Sequence, residues 1–223
     1  MAKRVVPVVQ KIMSANDQIA AEIHKLLNKY RVFSMNFMAS PGAGKTSLIE
    51  LTVKELTDNL KLSVIDGDIA TSIDADRAAA AGAHAIQVNT GGECHLDAVM
   101  LRSALEQIDL GATDLLIVEN VGNLICPASF QLGTHINVLI SSTPEGDDKP
   151  YKYPQMYQNI DALVINKIDL LPHVDFDLDY FLKGVEILNP GLTNFQLSCR
   201  TKEGVESWIQ WVIGSLTSFT GEI

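Results

Sequence analysis

Ile19, Ile23, Leu26, Leu27 and Tyr30 recur at three- and four-residue spacing, the period of one apolar helix face. The spacing predicts an amphipathic helix at about 14–30, with Ser14 or Asn16 as its N-terminal cap. From residue 31 the pattern changes. Short apolar runs predict strands at Arg31–Met38, Leu62–Ile65, Ala85–Val88, Leu115–Val118, Ile136–Ile140, Leu163–Ile165 and Phe195–Leu197. Between them, helices are predicted at about Thr46–Leu56, Ile73–Ala81, Leu96–Leu105, Phe176–Leu188 and Val205–Leu216. Several runs are apolar on both faces, as a parallel sheet covered by helices demands. Strand and helix in alternation predict a doubly wound, mostly parallel α/β sheet with helices on both faces, in one domain over 1–223. Ligands of such sheets bind beyond the carboxyl ends of the strands. The chemistry-bearing residues should follow the apolar runs.

Composition narrows the function classes. With 47% hydrophobic and 20% charged residues among 223, the chain can bury a core and is not disordered throughout. Lys and Arg number 17 against 27 Asp and Glu, a formal charge of -10 that repels a phosphate backbone, and no basic patch offsets it. Nucleic acid is therefore not the expected partner. No apolar run reaches the roughly 18 residues of a membrane span, and MAKRVV lacks the pattern of a signal peptide. Three cysteines, an odd number, fit a reducing compartment better than a disulfide framework. These features predict a soluble cytoplasmic protein.

After the first strand comes Ala39-Ser40-Pro41-Gly42-Ala43-Gly44-Lys45-Thr46-Ser47, leading into a helix. This is a P-loop with Ala39 where the first glycine usually stands. Gly42, Ala43 and Gly44 turn backbone N–H groups toward phosphate oxygens. Lys45 reaches the outer phosphates, Thr46 binds Mg²⁺, and Ser47 completes the loop.

The run Leu163–Ile165 ends in Asn166-Lys167-Ile168-Asp169, a signature for guanine. The Asp169 carboxylate accepts from the two adjacent donors on the base, Asn166 holds the loop, and the Lys167 stem packs on the ring. Ser198 and Cys199, after the last strand, fit the loop on the other side of the base. Asp114–Val118 ends in Glu119-Asn120-Val121-Gly122, in the place of a Walker B strand. There Glu119 holds the Mg²⁺ shell and the Gly122 N–H senses the γ-phosphate. Asp68 and Asp74 are expected as Mg²⁺ or water-positioning carboxylates, with Asp66 as a loop cap instead. Lys45, Asp68 and Glu119 form the expected catalytic set. Neither the P-loop nor Glu119–Gly122 contains an arginine, so hydrolysis is expected to be slow, roughly 10³–10⁵ below an assisted GTPase.

Two cysteines lie beside these segments, in Gly91-Gly92-Glu93-Cys94-His95-Leu96-Asp97 and Gly122-Asn123-Leu124-Ile125-Cys126-Pro127. Thiolates with imidazole suit Zn²⁺ and Ni²⁺. Adjacent side chains diverge, so Cys94 and His95 need Cys126 as a third ligand, and a twofold-related chain doubles the set. Cys199 has no such company and reads as structural. Residues 146–153 read as a polar loop, from which Lys149 or Lys152 can reach a partner's nucleotide.

Ser-Pro-Gly-Ala-Gly-Lys-Thr, Gly-Asp-Ile, Thr-Gly-Gly-Glu-Cys-His-Leu-Asp-Ala, Glu-Asn-Val-Gly-Asn-Leu-Ile-Cys-Pro and Asn-Lys-Ile-Asp occur in that order. Together they resemble the HypB family, SIMIBI-class P-loop GTPases that help insert nickel into nickel–iron hydrogenase. The resemblance covers essentially the whole chain. It implies GTP, Mg²⁺ and Ni²⁺ or Zn²⁺ as ligands, and a homodimer in the GTP- and metal-bound state. It also implies Cys94, His95 and Cys126 as metal ligands at the dimer interface, and a nickel-accessory protein and the hydrogenase large subunit as partners. Some members carry an N-terminal cysteine motif or a histidine-rich stretch. Here the first 90 residues hold no cysteine and only His24 and His84. Urease accessory GTPases carry Cys-Pro-His where this chain has Cys126-Pro127-Ala128, which disfavours a urease role. A cobalamin-enzyme accessory GTPase and a P-loop kinase also compete for the motifs; the guanine signature argues against the kinase.

Overall fold

The computed structural model of the chain describes residues 8–69 and 72–221, without the side chains of residues 8–12. MAKRVV and the Ala70-Thr71 pair lie outside the described residues. Seven strands, β1 (Phe33–Ala39), β2 (Leu62–Asp68), β3 (His84–Asn89), β4 (Leu115–Glu119), β5 (Ile136–Ser142), β6 (Ala162–Asn166) and β7 (Thr193–Gln196), form one parallel sheet. Its order is β3-β2-β4-β1-β5-β6-β7. The helices are α1 (Val8–Tyr30), α2 (Lys45–Leu56), α3 (Ile73–Ala80), α4 (Ala98–Leu105), α5 (Lys149–Lys152), α6 (Pro154–Gln158), α7 (Leu178–Leu188) and α8 (Val205–Thr220).

Strand β4 shows why the sheet is covered twice. All five of its residues are buried. Leu115 and Ile117 join a core with α2, α3 and α8 built on Leu48, Ile49, Val53, Ala78, Trp208 and Val212. Leu116 and Val118 face the other way, onto Ile23, Leu27, Leu101 and Leu105 of α1 and α4. Strand β6 repeats this, with Leu163 and Ile165 packing on Met156, Tyr157, Phe181 and Val185. Each strand residue alternates between two apolar layers, so a run with no polar face is the only stable choice. The chain is a doubly wound α/β protein. No helix among the described residues is long and apolar enough to cross a membrane.

Three expectations need correction. Helix α1 starts at Val8, well before 14, so neither Ser14 nor Asn16 caps it. Asn16 is buried inside the helix, where its amide donates to the Gln131 carbonyl (2.8 Å) and accepts from the Ala98 N–H (2.8 Å). Tyr30, expected on the apolar face, is exposed, and Ala20 takes a place in the core instead. Residues 146–153 are not simply a loop: α5 and α6 follow in quick succession. Each has proline in its first turn, where a missing N–H costs nothing.

Candidate functional site

The carboxyl ends of β1, β2, β4 and β6 surround a cavity of about 610 Å³. Its lining includes Gly42, Gly44, Lys45, Thr46, Asp66 and Gly122. Strand β1 delivers the P-loop and α2 begins directly at Lys45, so the first-turn amides of α2 face the cavity. Gly44 has φ +100°, and a Cβ there would stand 2.2 Å from the Asn166 amide nitrogen. Glycine is required at that point by conformation and by space together. Gly42 has φ +79° with open space around it.

Lys45 Nζ lies 2.5 Å from Glu119 Oε1, and Thr46 Oγ1 donates to the same oxygen at 2.6 Å. Glu119 is fully buried, and its other oxygen, Oε2, has no hydrogen-bond partner among the described residues. Asp66 Oδ2 is likewise buried and unpartnered among them. Oxygens of Asp66, Asp74 and Glu119 lie within 4.8 Å of one another. Burial, with the Glu119 charge beside it, pushes the Asp66 carboxyl up to about 7. Three converging hard oxygen donors, two of them with orphaned atoms, fit a divalent cation such as Mg²⁺. The carboxylate that joins Asp74 and Glu119 within this distance is Asp66, for which the sequence left a capping role as the alternative. Strand β2 runs on to Asp68, and that side chain turns to accept from the Ile69 N–H at 2.7 Å, outside the cluster.

The residues expected to recognise the base are joined to the P-loop directly. Asn166 donates to the Ala43 carbonyl (2.9 Å), while its oxygen accepts from the N–H groups of Lys167 (2.8 Å) and Cys199 (3.2 Å). Lys167, in the left-handed region at φ +61°, donates to the Gly42 carbonyl at 2.5 Å. Asp169 Oδ1 is buried without a partner among the described residues. Ser198 is fully buried, and burial pushes the Cys199 thiol up to about 11.

The second site sits beyond β3 and β4. Cys94 Sγ donates to Cys126 Sγ at 2.8 Å and lies 3.9 Å from His95 Nδ1. The donor atoms of Cys94, His95 and Cys126 all fall within 4.8 Å of one another. The expected divergence of adjacent Cys and His side chains is not what the loop does. His95 stacks on Phe130, with ring centroids 3.9 Å apart, and this turns its imidazole toward the sulfurs. The hydrogen bond to Cys126, with some burial, raises the Cys94 thiol above its ordinary value. Two sulfurs and an imidazole suit Zn²⁺ or Ni²⁺, and three donors leave a fourth position open.

Two neighbours of the cavity lie outside the motifs the sequence singled out. Glu145 accepts from the Ser40 hydroxyl of the P-loop on one oxygen and from the Ser142 N–H (2.7 Å) and hydroxyl (2.8 Å) on the other. Burial raises its carboxyl. Arg77 lines the nucleotide cavity, bonded to Glu50 (2.8 Å) and Ser47 (3.3 Å) and 3.6 Å from Asp74. A search for arginine confined to the P-loop and the β4 exit passes over it. The signal available was Asp74-x-x-Arg77, an i,i+3 pair on one helix face.

Comparison with known proteins gives a consistent picture. The profile of the CobW/HypB/UreG nucleotide-binding domain matches residues 34–196. The chain is 46% identical over 210 residues to the hydrogenase maturation factor HypB of Rhizobium leguminosarum bv. viciae, covering 94% of this chain and 70% of that protein. Its fold is similar to that of HypB from Helicobacter pylori in complex with nickel, at TM-score 0.87 and 36% identity, covering 92% of this chain and 96% of the other. It is also similar to HypB from Archaeoglobus fulgidus, at TM-score 0.85 and 34% identity, covering 91% and 99%.

Proposed function

Because the chain belongs to the HypB group of the CobW/HypB/UreG nucleotide-binding family, we propose that it is a slow GTPase that delivers nickel during hydrogenase maturation. In this reading Asp169 selects guanine, Lys45 and the α2 amides hold the phosphates, and Asp66, Asp74, Glu119 and Thr46 hold Mg²⁺. The bound Mg²⁺ neutralises charge on the phosphates. Around it, Lys45 transfers from Glu119 to phosphate, and the Gly122 N–H meets the γ-phosphate. Cys94, His95 and Cys126 hold Ni²⁺ or Zn²⁺ as cargo. A nickel-accessory protein and the hydrogenase large subunit stand on either side of it in the delivery route.

The observation that carries this reading is the convergence of Cys94, His95 and Cys126 within 4.8 Å, with Cys126 on the loop that continues β4 past the cavity-lining Val121 and Gly122. A three-donor site is completed when two chains pool their sets across a twofold axis, so GTP, Mg²⁺ and metal together favour a homodimer. Exposed apolar residues support that contact: Val99 and Ile125, close in sequence to His95 and Cys126, are 46% and 60% exposed. Loss of the γ-phosphate then perturbs the ligand loops and lets the metal go.

Titration of Ni²⁺ and Zn²⁺ into the purified chain, with GDP and with a non-hydrolysable GTP analogue, tests the reading beside sedimentation under the same conditions. Cys94→Ser and Cys126→Ser should each weaken metal binding at least about tenfold, and Cys199→Ser should leave it unchanged. Equal metal affinity and equal dimer fraction in both nucleotide states would sink the coupling. Metal binding that survives loss of both Cys94 and Cys126 would remove the site.

A further inference from the structure

Asn123 touches both sites at once. Its backbone N–H donates to the carbonyl of Ala39 (2.9 Å), the last residue of β1 before the P-loop. Its side-chain amide donates from Nδ2 to the Cys94 carbonyl at 3.2 Å and accepts on Oδ1 from the Ile125 N–H at 2.9 Å. The second bond closes an Asx turn, which aims the following residue, Cys126. One rigid planar amide therefore references the backbone of both cysteine loops, while the backbone of the same residue is fixed to the phosphate loop. Three residues earlier, Asn120 is fully buried and accepts from the Leu96 N–H at 2.9 Å, a second tie to the same loop next to His95.

The spacing this amide sets matters to a metal. Two thiolates around a tetrahedral ion, at metal–sulfur distances of about 2.3 Å, stand roughly 3.8 Å apart. The sulfurs here are 2.8 Å apart. Whether the two sulfurs meet that spacing depends on how the two loops are held relative to each other. Gly122, which lines the nucleotide cavity and whose N–H is proposed to meet the γ-phosphate, immediately precedes Asn123.

We infer that Asn123 is the positioning residue through which nucleotide state sets the Cys94–Cys126 spacing, and with it the retention or release of the metal. This rests on the nucleotide–metal coupling proposed above. Asn123 is not a ligand in it. The residue acts by holding the Cys94 carbonyl and the Ile125 turn to a common frame, so that a shift of the β4 exit is felt by both sulfurs together.

The test uses the full-length chain and Ni²⁺ as the probe. Asn123→Ser keeps an acceptor for the Ile125 turn but is too short to reach Cys94; Asn123→Asp is isosteric and lacks the donor. Metal affinity is measured with GDP and with GTP analogue, alongside the position of the nickel–thiolate charge-transfer band. In the wild type, the affinity ratio should fall in the usual range of site-to-site coupling, about 5–150-fold, and the band should shift with nucleotide. In both variants nucleotide binding and metal stoichiometry should hold, while the ratio falls to within about twofold of unity and the band stops shifting. Asn123→Asp alone decides the matter if the serine variant does not bind nucleotide. A wild-type ratio retained in a nucleotide-binding variant overturns the assignment to Asn123. A ratio of one in the wild type overturns the coupling itself.

Discussion

Lys45 and Glu119 form a buried ion pair at 2.5 Å. The lysine meant for phosphate is thus already held, by the carboxylate meant for Mg²⁺. Glu119→Gln loosens that grip and removes a cation ligand. The expected outcome is a split: GDP affinity without Mg²⁺ stays level or rises, while Mg²⁺-dependent GTP hydrolysis falls about 10–100-fold. Fluorescent-GDP titration and phosphate release measured across Mg²⁺ concentrations check it. A parallel fall in both would show that Glu119 serves the loop's structure and not the cation.

Gly44→Ala places a Cβ 2.2 Å from Asn166 at φ +100°, where an L residue costs about 1–2 kcal/mol before any clash. Asn166 must move, and with it the junction between phosphate and base recognition. Guanine-nucleotide binding should be lost and the melting temperature should drop. Gly42→Ala meets nothing within 4 Å and should show the milder, purely conformational effect. Thermal melts and nucleotide titrations of the two variants should rank them in that order.

Asp169 Oδ1, buried with no partner among the described residues, is an acceptor awaiting a donor. Asp169→Asn turns one acceptor into a donor, which suits the keto group of xanthine in place of the guanine amino group. GTP affinity should fall roughly 10–100-fold, the worth of hydrogen bonds to a charged group, and affinity for the xanthine nucleotide should rise. Competition binding with the two triphosphates reads this out, and unchanged preference would withdraw Asp169 from base selection.

His135 sits at the opposite end of the sheet, where burial, helped by the nearby His24, pushes its imidazole down to about 4. Its Nδ1 accepts from the Ser34 N–H at 3.0 Å. As pH falls below 6.5 the unfolded chain takes up the proton first, so stability drains away between about 6.5 and 4. The loss is at most about 3 kcal/mol. His135→Asn keeps an acceptor for Ser34 and should flatten the pH dependence of urea unfolding across that window. A slope identical to the wild type would assign the acid sensitivity elsewhere.

The layered sheet was legible because strands buried on both faces, β4 and β6 above all, read as largely apolar runs, and local spacing is enough to see them. The P-loop and the guanine segment are legible for a similar reason: their parts are contiguous. What failed was what depends on partners far along the chain. Asn16 looked like a cap because a short polar residue usually serves its own neighbourhood, whereas this one bridges to Ala98 and Gln131. Asp66 and Asp68 share one face of β2 and both line the cavity, and only the depth of the strand end separates the buried one from the half-buried one. Glu145 is locally the third residue of a Ser142-x-x-Glu145 capping box, but its bond to Ser40, 105 residues away, leaves no trace in that pattern.

The sheet order carries a last consequence. Cys94 follows β3 and Cys126 follows β4, and β2 lies between those two strands. No fragment of the sheet lacking β2 can bring the sulfurs together. Under the proposed metal role, uptake at this site would be a census of finished molecules: a chain still assembling, or one that has misassembled, would offer no paired sulfurs to an ion. The finished chain gains stability from the ion by mass action. In that reading cargo loading and quality control would be the same event, and the fraction of protein able to take up metal in a preparation would measure the fraction that has completed its fold.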